Sequence, residues 1–147
     1  MKRLAAALLS LTLPGIGQMY NDQLLKGLIF ILIESVINIY GHLNQAIYLD
    51  FRGFHREAVQ TINFQYALFY PPFYTYVVWD AFFHAEPNGH PYSIFIFIIS
   101  GFIGTLVAIF GSLSFDAKAI TIGISMIIPM ITGIFIYKNK TIASSKT

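Results

Sequence analysis

The feature that most limits the fold of this 147-residue chain is where its charges are missing. No Asp, Glu, Lys or Arg occurs between Glu86 and Asp116, or between Lys118 and Lys138. A hydrocarbon core about 30 Å thick is crossed by roughly 20 helical residues rising about 1.5 Å each. Residues 93–112 and 119–137 reach that length without a charge. Residues 24–41 and 64–84 also reach it, with Glu34 and Asp80 as intrusions and Lys26 near one end. A backbone in lipid must satisfy its own hydrogen bonds, so spans of this kind are helices. The expectation is an all-α integral membrane bundle of four transmembrane helices, forming one domain over residues 1–147.

Composition agrees. Apolar residues make up 56% of the chain and charged residues 11%, against about 25% charged in soluble domains. Nine Lys+Arg against seven Asp+Glu leave a net charge of +2, too small for a nucleic-acid footprint. With zero cysteines, disulfides, thiolate metal sites and a thiol nucleophile are excluded. The partners implied are the lipid bilayer and either another membrane protein or a second copy of the chain.

A fifth apolar run, residues 4–13, follows Met1-Lys2-Arg3 and stops at Pro14-Gly15. A basic start and a short apolar run also describe a secretory signal peptide. The length better fits a re-entrant or interfacial helix that turns at Pro14-Gly15-Ile16-Gly17, because proline cannot continue the ladder and glycine permits reversal. With re-entry, Lys2, Arg3, Lys26, Lys138, Lys140 and Lys146 share one side and Arg52, Arg56 and Lys118 the other. The positive-inside rule then places both termini in the cytoplasm of a bacterial cell, with the protein in the cytoplasmic membrane. A full crossing by the first run would change the count to four against five.

The longest connection carries Phe51, Phe54, His55, Ala58, Val59 and Ile62 at helical spacing. That predicts an amphipathic helix over residues 51–62, in the outer headgroup layer or as a lid on the bundle. Glu86-Pro87-Asn88-Gly89-His90-Pro91 predicts an inner turn, and residues 114–118 an outer one. Pro71-Pro72 and Pro129 predict kinks in the second and fourth spans. Ser100, Gly104, Ala108 and Ser112 recur every four residues on the third span, a small-residue face that lets another backbone approach. Gly123 and Gly133 on the fourth span are the candidate complement within a hairpin; a homodimer face is the alternative.

Two polar groupings stand out. Glu34 lies ten residues into the first span, about 15 Å deep by helical rise. An ionised carboxylate there costs on the order of 3 kcal/mol on insertion scales. Asn38 is one turn away, and Tyr70 and Tyr74 on the antiparallel second span reach similar depth. The set fits first a neutral acid hydrogen-bonded between helices, since one acid without a basic partner makes no pathway, and as the alternative a proton, ion or substrate path. Asp80 and Lys26 sit at matching depth near the inner end, with His84 one turn beyond Asp80. That pattern predicts a structural clamp. His42, His55, His84 and His90 show no metal-ligand spacing, no phosphate loop is present, and no serine has a neighbouring base. The expectation is therefore no catalytic residues, no metal and no cofactor.

The string Pro14-Gly15-Ile16-Gly17-Gln18-Met19-Tyr20-Asn21, followed by Leu25-Lys26-Gly27-Leu28, resembles a segment at the N-terminus of some maltose-type sugar ABC transporter permeases. It also resembles small bacterial membrane proteins of the two-transmembrane-domain kind, in which a later span ends in Asp-Ala-aromatic-x-x-Ala, as Asp80 to Ala85 does here. The resemblance implies a hairpin module that places Gln18, Tyr20 and Asn21 at the inner interface beside Lys26 and Asp80. A chain of this length has no room for the coupling loop that docks a permease on its ATPase. The leading expectation is a non-enzymatic accessory or scaffold subunit acting through helix–helix contacts. The alternative is a small transporter or channel subunit that uses Glu34.

Overall fold

The structure, a computed structural model, describes residues 1–111 and 118–141. Nine α-helices and one 3-10 turn make up the described chain, which contains no strand; 81% of it is helical. Three helices are long and apolar enough to cross a membrane. These are α3 (Leu24–Gly41), α8 (Ile94–Phe110, entered through a 3-10 turn at Pro91–Ser93) and α9 (Lys118–Tyr137).

The N-terminus forms a helical hairpin. Helix α1 (Lys2–Thr12) ends at Leu13, and α2 (Ile16–Tyr20) returns after a tight turn. Gly15 makes that turn at φ +105°, and any Cβ there would strike the Gly27 carbonyl of α3. Eleven helical residues rise about 16 Å, roughly half of a hydrocarbon core. Gly17 is as tightly held, since a methyl group would overlap the Ala6 carbonyl and Ser10 Oγ of α1 and lie 2.8 Å from Ala81 Cβ.

Residues 64–84, predicted as one span, are two helices: α6 (Phe64–Ala67) and α7 (Tyr70–His84), broken at Leu68-Phe69. Pro71 and Pro72 cause the break. Without N–H groups they belong in a helix's first turn, so a new helix starts there rather than an old one kinking. Asn63 caps α6 by accepting from the Gln65 N–H at 3.2 Å. Helix α7 is the centre of the bundle, with Pro71, Phe73, Tyr74, Thr75, Val77, Val78, Asp80, Ala81 and Phe82 buried. Its Tyr74, Val78 and Phe82 join Ala7, Phe97, Met126, Met130 and Ile134 in the main apolar core.

The connection 42–63 also differs from expectation. A helix α4 (Leu43–Phe51) precedes the amphipathic segment, which begins only at His55 as α5 (His55–Thr61). Gly53, at φ +85°, separates the two, so the 51–62 period does not form one helix.

Helices α8 and α9 pack as a hairpin. Ser100 Oγ donates to the Met126 carbonyl at 2.6 Å, and Gly104 leaves room for the Met126 side chain and Pro71. Gly133 faces Ile96 and Phe97, whereas Gly123 has nothing among the described residues within 4 Å of a Cβ and lines an open apolar crevice. Ala108 lines a small apolar crevice between α4, α6, α7 and α9. Ser112, the fourth residue of the stripe, and the 114–118 turn lie outside the described residues or at their edge. Outward, α3, α8 and α9 expose large apolar side chains, among them Leu25, Leu32, Ile39, Phe102, Ile128 and Phe135. The polar side chains Ser10, Gln18, Asp50, Thr75, Asp80 and Ser100 are buried instead. Such a distribution suits apolar surroundings.

Candidate functional site

Two polar regions lie along the inner side of α3, one at each end of the N-terminal hairpin. At the first, Asp80 is 1% exposed and meets Lys26 Nζ at 2.6 Å through Oδ1. Gln18 Nε2 donates to Asp80 Oδ2 at 3.0 Å and to the Val77 carbonyl at 2.8 Å. Ser10 Oγ donates to Gln18 Oε1 at 3.1 Å and itself accepts from the Gly17 N–H. Asn21 Nδ2 donates to the Ala81 carbonyl at 2.8 Å. His84 Nδ1 is 2.9 Å from the Asp80 carbonyl and 3.0 Å from Oδ1. Both neighbours are acceptors, so Nδ1 carries the proton. Five of the six residues expected here thus meet through Asp80 and its helix. Tyr20 does not: it is exposed, and among the described residues its hydroxyl has no hydrogen bond. Ser10, not singled out from the sequence, is a member. Its signal was the four-residue pitch Ala6–Ser10 facing the turn, visible only once the chain reverses.

Every strong donor in this cluster has an acceptor, and both Asp80 oxygens are used. Among the described residues Asn21 Oδ1 is buried without a partner, while the remaining groups are satisfied in a way that fixes their geometry. The cluster ties α2 and α3 to the last turns of α7.

The second region begins where the hairpin ends. Tyr74 Oη donates to the Leu11 carbonyl at 2.6 Å, which satisfies one of the free carbonyls at the end of α1. Beyond Pro14 no element of the hairpin separates α3 from α7. The space left is a cavity of about 610 Å³, lined by Glu34, Asn38, His42, Asn44, Tyr70 and Tyr74 among others. All four residues expected as an intramembrane polar set therefore line one cavity. Asn38 Nδ2 donates to Glu34 Oε1 at 3.0 Å, and Asn38 Oδ1 accepts from the Asn44 N–H at 3.1 Å. The amide is thereby held by the start of α4 and holds the carboxylate in turn. Tyr70 and Tyr74 rings lie 5.4 Å apart, tilted by 31°. No Lys or Arg lines the cavity.

Among the described residues no group of three metal-ligating side chains comes together. Compared with family models, with curated proteins and with solved structures, the chain matches none.

Proposed function

We propose that this chain is a four-span protein of a bacterial cytoplasmic membrane with both termini cytoplasmic, acting as a non-enzymatic accessory or scaffold subunit through helix–helix contacts. The connectivity supports four crossings. Lys26 meets Asp80, and Phe30 meets Phe73 and Tyr76, so α3 and α7 are antiparallel. Trp79 Nε1 donates to Ser93 Oγ, while Thr75 lies against Gly101, so α7 and α8 are antiparallel too. If α3 and α8 cross in the same direction, the chain must return between them, and α6 with α7 is the element that runs back. Four crossings plus a half-depth hairpin leave both termini on one side. Lys2, Arg3, Lys26, Lys138 and Lys140 gather at that end, with Arg52 and Arg56 at the other, which supports a cytoplasmic assignment.

The observation that carries the scaffold reading is the free face of α3. Leu25, Leu28, Ile29, Leu32, Val36 and Ile39 fall on one side at helical spacing, and all are exposed. A partner helix of another protein fits that face. Single cysteines at Leu28, Leu32 and Ile39, cross-linked in native membranes, give higher-mass adducts that a cysteine at Phe102 on α8 does not. A chain that stays free of adducts at all three positions overturns the reading. The cavity at Glu34 favours a second reading, a small transporter or channel subunit. Glu34→Gln separates the two: a scaffold keeps its adducts, whereas a pathway loses flux with assembly intact.

A further inference from the structure

We propose that the cavity between α3, α4 and α7 binds a small organic ammonium ion, with Glu34 as its counter-charge and the Tyr70 and Tyr74 rings as its apolar wall. The assignment adds a ligand to either reading above and rests only on the surroundings of Glu34.

The charge balance comes first. Lys26 pairs with Asp80, while His55 and His84 lie against Asp50 and Asp80. Glu34 has only the Asn38 amide, on one of its two oxygens. His42 lines the same cavity but forms no ion pair with Glu34 among the described residues, and a half-buried carboxylate with one neutral donor and no paired cation is costly in apolar surroundings. A cation in the cavity removes that cost. The wall then selects the kind of cation. Divalent metals favour several charged ligands at short range, and among the described residues no three Asp, Glu, His or Cys side chains come together. One carboxylate matches one positive charge. Aromatic rings attract an alkylammonium through their faces and shed water from its alkyl groups. Asn38 is held through its oxygen by the Asn44 N–H while its Nδ2 donates to Glu34, so the carboxylate is aimed by a fixed partner. The volume, about 610 Å³, lies within the range of small-molecule sites, roughly 300–1,000 Å³.

The same ammonium chemistry has two sources, a soluble amine and the headgroup of an aminophospholipid. The test uses the full chain in dodecyl maltoside, which carries no ammonium, and in phosphatidylglycerol nanodiscs with or without phosphatidylethanolamine. Dicyclohexylcarbodiimide labels carboxyl groups in apolar sites, and mass spectrometry reads the label at Glu34. We expect butylammonium to reduce labelling of wild-type protein at least fivefold, while neutral n-butanol leaves it unchanged. Protection by phosphatidylethanolamine without added amine identifies the headgroup source; protection by butylammonium alone identifies a soluble ligand. Calorimetric titration with butylammonium should weaken at least tenfold in Glu34→Gln, and severalfold in Tyr70→Leu. Labelling indifferent to every ammonium overturns the proposal and leaves a neutral, structural carboxyl. Equal protection by sodium chloride overturns it in favour of an inorganic cation. Titrations that coincide for wild type and Glu34→Gln overturn the role of the carboxylate.

Discussion

Gln18 carries more of the fold than its chemistry advertises. It is fully buried, and its amide joins three helices: Ser10 on α1, then Val77 and Asp80 on α7, from its own place on α2. Gln18→Leu keeps the volume but strips Asp80 Oδ2 and Ser10 Oγ of their partner. Leaving buried polar groups unsatisfied costs about 1–3 kcal/mol each, so we expect about 2–3 kcal/mol of lost stability, read as a lower unfolding midpoint in detergent. Gln18→Glu is a sharper probe, since it sets a second carboxylate against Asp80 and should destabilise more than Leu does. Lys26 and Asp80 were legible from their matching depth, because helical rise converts sequence position into height. Ser10 was not, because its neighbours come from a reversal whose angle no local pattern contains. Tyr20 was assigned to the cluster through the resemblance, yet its place on α2 turns the ring outward.

At the scale of elements, α9 shows how an apolar helix is fastened at both ends. Asp50, buried on α4, accepts from the Ala119 N–H at 2.7 Å and from the Ile120 N–H at 3.3 Å, which caps the start of α9. His55 Nδ1 lies 2.6 Å from the other Asp50 oxygen. At the far end, the buried Arg3 donates to the carbonyls of Tyr137 and Lys140. Burial lowers the pKa of that guanidinium from its usual value. Negative charge at a helix start and positive charge at its end both oppose the helix dipole. The basic N-terminus, read from sequence as a marker of sidedness, thus also has a structural use. Asp50→Ala should cost about 1–2 kcal/mol, the usual scale of a lost cap, and hydrogen exchange at Ala119 and Ile120 should rise while exchange in α3 stays unchanged. Gly104→Leu tests the α8–α9 contact. Its side chain would run into Met126 and Pro71, and overpacking of this kind costs about 1–3 kcal/mol. The same change at Gly123, where space is open, should have little effect on the unfolding midpoint.

For the whole molecule, the half-length hairpin decides the architecture. A helix that stops midway leaves the other half of its column unfilled, and the polar cavity occupies that half. Glu34 lies just past the hairpin tip, where it lines the cavity. The proposed topology is open to a direct check, since the chain has no cysteine of its own. A cysteine at Arg56 should react with an impermeant maleimide in intact cells, and one at Asn139 only after lysis. Labelling at residue 139 in intact cells would reverse the orientation.

Much about this protein follows from the sequence alone: helices long and apolar enough to cross a membrane, helices as the regular structure of the described residues, and the lengths of α3, α8 and α9. Those properties depend on hydropathy summed over twenty residues and on the backbone's need for internal hydrogen bonds, and both are local. Tertiary structure alone decided that Pro71-Pro72 start a helix instead of bending one, that Gly53 splits the 51–62 period, and that Asp50 and Arg3 fasten a helix remote from both in sequence. It also decided that Glu34, Asn38, Tyr70 and Tyr74 share one cavity. Each of these depends on which helices lie side by side, and neighbours are chosen by packing volume and by pairing of the few buried polar groups, quantities that no single segment of the chain contains.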